Sequence, residues 1–133
     1  MGFRLIAPTV KLSENDVEAA ALDLLRARQW YPVRLQSGLF KTLDDRKITI
    51  GSPGLPDWIC LHERFPGFLM EVKRPRAQPS PIQKHKIREL EQFYHLHVLV
   101  CDDVLKLIEW LNAHERRFAT SAATPRTASP LPR

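Results

Sequence analysis

The sequence predicts an α/β domain with a mixed central sheet flanked by helices, and three observations carry that prediction. Apolar residues recur at helical spacing near both ends of the chain, at Val17, Ala21 and Leu25 and again at Val104, Leu107, Ile108 and Leu111. Between them lie short runs rich in β-branched and aromatic residues, such as KITI, DWICLH and GFLMEVK. One further helix signal separates GFLMEVK from the later run HLHVLVC, so a helical crossover joins two strands that should then be parallel.

The elements follow in order. Ser13 to Gln29 reads as the first helix, because Ser13 suits an N-cap and Asp16 stands three positions on. YPVRLQ is a strand, residues 37–46 a polar loop and RKITI a strand with period-two alternation. GSPGLP is a turn of glycine and proline. DWICLH and GFLMEVK then form two strands joined by ERFP, a link short enough to demand antiparallel pairing. QPSPIQ opens a second helix running to about Tyr94, with Ser80 as N-cap, Pro81 at the first helical position and Gln83 closing a capping box. HLHVLVC is the last strand and DDVLKLIEWLNAHERR the last helix.

The 133 residues suffice for one domain, which the pattern places at 13–117 after an N-terminal extension of 1–12. Residues 118–133, rich in Pro, Ser, Thr and Ala without apolar period, are expected to be a disordered tail. A net charge of +5 favours an anionic partner, nucleic acid first. No apolar run approaches the roughly 20 residues of a membrane span, and MGFRLIAPTV is too soon interrupted for a signal peptide, so a cytoplasmic protein is expected. Cys60 and Cys101 sit in apolar strands and read as reduced core thiols. His95, His97 and Cys101 form a weaker zinc pattern that lacks a fourth ligand.

Chemistry concentrates in the middle of the chain. Glu71 and Lys73 share one face of their strand, while Phe68, Met70 and Val72 fill the other. A hairpin centred on Arg64 would set Asp57 directly opposite Glu71, with Cβ atoms about 4.5–5.5 Å apart. Two carboxylates so close can share a divalent cation, and without one they repel. Glu14 and Glu18 project from the buried side of the first helix, and either can supply a third acid. Arg74, Arg76, Lys84, Lys86 and Arg88 follow with no acid among them, a candidate track for phosphates, and Lys41 and Arg46 are candidates for a second wall. The bland alternative is a solvated basic helix face.

G-x-P-D at 54–57, E-V-K at 71–73 and S-P-x-Q at 80–83 together resemble the PD-(D/E)xK nuclease superfamily, and within it the virus-type replication-repair nuclease branch, VRR-NUC. SENDVEAAALDLLRARQW resembles that family's first helix, RLQSG its strand ending in Ser-Gly, and CDDVLKLIEWL its closing strand and helix, so the resemblance spans roughly 13–111. It implies a restriction-endonuclease-like core and an Mg²⁺- or Mn²⁺-dependent endodeoxyribonuclease acting on branched DNA or junctions in repair, recombination or phage replication. The implied metal ligands are Asp57, Glu71 and Glu18, with the Cys60–Leu61 backbone as a further donor; Lys73 becomes the catalytic lysine and Gln83 an accessory catalytic group. Glu14 competes with Glu18 for the helix role, and Gln83 is equally explained as a helix cap. A homodimer is implied in the same way. The other function classes are a catalytically silent nucleic-acid-binding module of the same fold and a small-nucleotide phosphohydrolase, which lacks any P-loop.

Overall fold

The computed structural model describes residues 11–35, 38–41 and 43–122, with the backbone alone at 38–41, 48–50 and 120–122. The first ten residues and the tail from 123 lie outside it, as do Gln36 and Ser37 of the RLQSG segment.

Helix α1, Glu14–Ala27, starts at the expected cap: Ser13 Oγ accepts from Asp16 N at 3.1 Å and Asp16 Oδ2 accepts from Ser13 N at 2.8 Å. Its apolar stripe of Val17, Ala21 and Leu25 is buried. Strands β1 (Tyr31–Arg34), β4 (Trp58–Leu61), β5 (Phe68–Val72) and β6 (His97–Cys101) form one sheet in the order β1-β4-β5-β6. The first two pairings are antiparallel and β5 to β6 is parallel, as the short link and the helical crossover require. His95 stays outside β6 because its backbone turns there, with φ +53°.

Two sequence expectations are corrected. Residues 37–46 are not a continuous loop: β2 (Gly38–Lys41) pairs antiparallel with β3 (Lys47–Ile50) as a separate two-stranded ribbon. The last helix also passes its expected boundary at 117. Helix α3 runs Val104–Ala122, and Phe118 has reason to stay helical, since its ring packs 4.9 Å from His114 and 5.6 Å from His97. Among the described residues no helix is long and apolar enough to cross a membrane.

Strand alternation divides the sheet into two faces. Phe68, Met70 and Val72 join Trp58, Cys60 and Cys101 in a core closed by α1 and by Leu107 and Leu111 of α3. Helix α2 (Pro81–Gln92) lies over the other face, where Leu69 and Glu71 point. The two thiols are sealed in the core, and burial pushes Cys60 up to about 12 and Cys101 up to about 11. Cys101 Sγ donates to the Asp103 carbonyl at 3.6 Å, which directs it away from zinc chemistry with His95 and His97.

Gly54 fixes how the turn before β4 meets α2. Its φ is +79°, and a Cβ there would stand 2.8 Å from the Ile82 carbonyl oxygen. The backbone of the turn thus touches the first turn of α2, as only glycine allows. Gly54→Ala should destabilise the fold by about 1–3 kcal/mol through left-handed strain and this clash, read by chemical denaturation. Unchanged stability would show that the close approach is dispensable.

Candidate active site

The hairpin register is the one expected from the sequence: Trp58 faces Met70, Ile59 faces Leu69 and Cys60 faces Phe68. One step further along this register sets Asp57 across from Glu71. Asp57 is clamped by backbone, its Oδ2 accepting from Val72 N at 3.0 Å and its carbonyl from Leu35 N at 2.8 Å.

Glu71 is 2 % exposed. Its Oε1 accepts from Gln83 Nε2 at 2.8 Å and lies 3.5 Å from Lys73 Nζ. Its Oε2 is buried with no hydrogen-bond partner. A buried carboxylate oxygen left bare is costly, because its hydration is lost and nothing replaces it. Burial above all, then the Asp57 charge, pushes the Glu71 carboxyl up to about 7, against the opposing pull of Lys73; Glu14 adds a smaller push upward. The bare oxygen, the facing carboxylate and the raised affinity for a proton all describe a place for positive charge.

Gln83 holds both of its expected roles at once. Its Oε1 accepts from Ser80 N at 2.8 Å and completes the capping box, while its Nε2 reaches Glu71. The cap therefore fixes the amide that fixes the carboxylate.

The helix acids separate. Glu18 Oε1 accepts from Trp58 Nε1 at 3.1 Å and Arg34 Nη1 at 2.9 Å, and the Arg34 guanidinium lies 5.3 Å from the Trp58 ring centre. Glu18 is therefore engaged by the buried Trp58 and by Arg34 rather than by Asp57 or Glu71. Glu14, one turn earlier, is the helix acid whose charge reaches Glu71. Among the described residues no three His, Cys, Asp or Glu side chains gather as a metal-ligand cluster. The expected Cys60–Leu61 backbone donors are engaged in the sheet: both residues are paired to β1, and Cys60 to β5 as well. What remains is a two-carboxylate pair. That suits a hard cation which keeps several waters and takes further oxygens from a phosphate.

The basic residues divide likewise. Arg74 and Arg76 are exposed on the turn after β5, where Asp102 Oδ2 accepts from Arg76 N at 3.0 Å. Lys84 and Arg88 share one side of α2 and line a cleft of about 660 Å³. Lys86 does not follow them: two residues from each, it points to the other side and pairs with Glu89 at 3.6 Å. Arg46 is exposed and pairs with Asp44 at 3.0 Å, while the Lys41 side chain lies outside the described ones. Sequence reasoning missed Lys106, which lines the same cleft and pairs with Asp102 at 2.6 Å. Its only sequence signal is an i,i+4 relation to Asp102 across the start of α3.

No protein-family model matches the chain, and no curated protein matches it.

Proposed function

We propose that this chain is a metal-dependent nuclease of the PD-(D/E)xK type, similar to VRR-NUC domains, that hydrolyses DNA phosphodiester bonds in branched substrates. The observation that carries the proposal is Glu71: a buried carboxylate with one bare oxygen, facing Asp57 and flanked by Lys73. Asp57 and Glu71 would hold Mg²⁺ or Mn²⁺, with Glu14 rather than Glu18 the nearer helix acid. The ion, when bound, supplies Lewis acidity toward a phosphate oxygen and acidifies a water. Lys73, held 3.5 Å from Glu71, places an ammonium where it can donate to a phosphate oxygen and orient the attacking water. Gln83 fixes Glu71 Oε1 beside Lys73, and the Val72 N–H fixes the Asp57 carboxylate. Homodimerisation and a cytoplasmic repair or recombination setting belong to this proposal through the family resemblance.

A binding module without catalysis is the second reading, favoured by the lack of a three-ligand cluster among the described residues. Labelled branched and linear DNAs incubated with Mg²⁺, Mn²⁺ or EDTA separate the two. Cleavage is expected with either metal and not with EDTA; Glu14→Gln is expected to lower the rate by about tenfold or more, while Glu18→Gln acts mainly on stability by freeing Arg34 and Trp58. Cleavage that persists in EDTA would overturn the metal mechanism, and no cleavage of any substrate would leave the binding module.

A further inference from the structure

Helix α2 begins at the candidate active site and ends at an exposed aromatic pair. Gln83 touches Glu71 in its first turn. Lys84 and Arg88 follow along one side, and just past the helix stand Phe93, 74 % exposed, and Tyr94, 63 % exposed. These rings and Arg88 line a second hollow of about 290 Å³. Arg88 and Gln92 border both hollows, so the basic cleft runs directly into the aromatic one. The cleft comes close to the candidate pair: Val100, which lines it, is the β6 partner of Glu71, one strand spacing of about 4.8 Å away. The whole path is the length of α2, about 18 Å for its 12 residues.

The charges along this path favour an anion. Glu91 and Asp102 also line the cleft and Glu89 the aromatic hollow, but Asp102 is engaged by Lys106 and the Arg76 N–H and Glu89 by Lys86, while Arg74 and Arg76 stand exposed on the adjoining turn. A positive groove that leads to exposed rings matches the recognition of unpaired nucleic acid, in which cations follow the backbone and aromatic side chains stack bases. A duplex hides its base faces and has no use for the rings.

We infer that α2 is a track for a single-stranded arm of the substrate, with Lys84 and Arg88 on its phosphates and Phe93 and Tyr94 stacking its bases. The inference rests on the nuclease reading, and names its substrate class as DNA with a single-stranded arm next to the cleaved bond.

The test measures binding in EDTA, where no cleavage intervenes, by fluorescence anisotropy with a labelled oligothymidine and with a blunt duplex of equal length. Phe93→Ala/Tyr94→Ala should weaken oligothymidine binding at least about fivefold while leaving the duplex nearly unaffected. Lys84→Ala/Arg88→Ala should flatten the log–log salt dependence for the single strand by roughly 1.4, about 0.7 for each phosphate no longer neutralised. All four side chains are exposed or line open hollows, and circular dichroism checks that the variants remain folded. Equal binding of wild type and aromatic variant, or an equal loss on the blunt duplex, would overturn the track. So would a change of sedimentation coefficient in the Phe93/Tyr94 variant without loss of binding, which would make the rings a protein interface. The nuclease reading is judged separately, by whether the wild type cleaves any DNA with Mg²⁺ or Mn²⁺.

Discussion

Lys73→Ala should reduce Mg²⁺-dependent DNA cleavage by about 10²–10⁴-fold, the range for removing a positioned charge or proton-handling group from a hydrolytic site. In the proposed mechanism the side chain serves both the reacting phosphate and Glu71, and pH separates the two roles. Near pH 6 the Glu71 carboxyl, with its affinity for protons raised to about 7, is mostly protonated and gains little from the ammonium. Thermal stability should therefore be nearly unchanged at pH 6 and fall modestly at pH 8, where Glu71 ionises and loses its nearest cation. The loss of cleavage should persist across that whole range. Lys73→Arg is not expected to rescue, because a planar guanidinium cannot place its charge where a compact ammonium stood. Full retained cleavage in Lys73→Ala would remove Lys73 from the mechanism; equal destabilisation at both pH values would make it a structural ion pair.

The register of this site was legible because strand alternation and loop symmetry are properties of the sequence alone. Equal lengths on either side of Arg64 leave one pairing for β4 and β5, and that pairing sets Asp57 across from Glu71. Capping signals were equally local, as Ser13 with Asp16 and Ser80 with Gln83 show. What escaped depends on tertiary partners. Helical periodicity put Glu14 and Glu18 on one side of α1, but only the position of the Trp58 indole and Arg34 tells which is already occupied. Counting charges grouped Lys86 with Lys84 and Arg88, although a helix cannot aim i and i+2 the same way. Lys106 lay outside the count because it reaches the cleft from a different helix. Strand β2 escaped because GLFK is four residues long and starts on glycine, leaving little pattern to read.

Glu71→Gln should stabilise the cation-free protein at pH 8 and abolish its stabilisation by Mg²⁺ or Mn²⁺. The carboxyl ordinarily titrates at 4.5 and in the folded chain at about 7. Between those values the folded chain keeps a proton that the unfolded chain has lost, so stability falls as pH rises through the window. The deficit is complete above pH 7 and amounts to about 3 kcal/mol for a shift of this size. Glutamine is uncharged at every pH and retains an amide oxygen for Gln83 Nε2, so the variant should match the wild type near pH 5 and exceed it at pH 8. A cation bound as proposed would offset the same deficit in the wild type by replacing the proton, which must leave first. Cation affinity should therefore rise up to tenfold per pH unit below 7 and level off above it. Thermal denaturation of both proteins from pH 5 to 8, with Mg²⁺ and with EDTA, reads every part of this. Parallel stability curves for wild type and Glu71→Gln would mean that Glu71 carries no raised affinity for protons. A cation-induced gain that survives in Glu71→Gln would place the metal elsewhere.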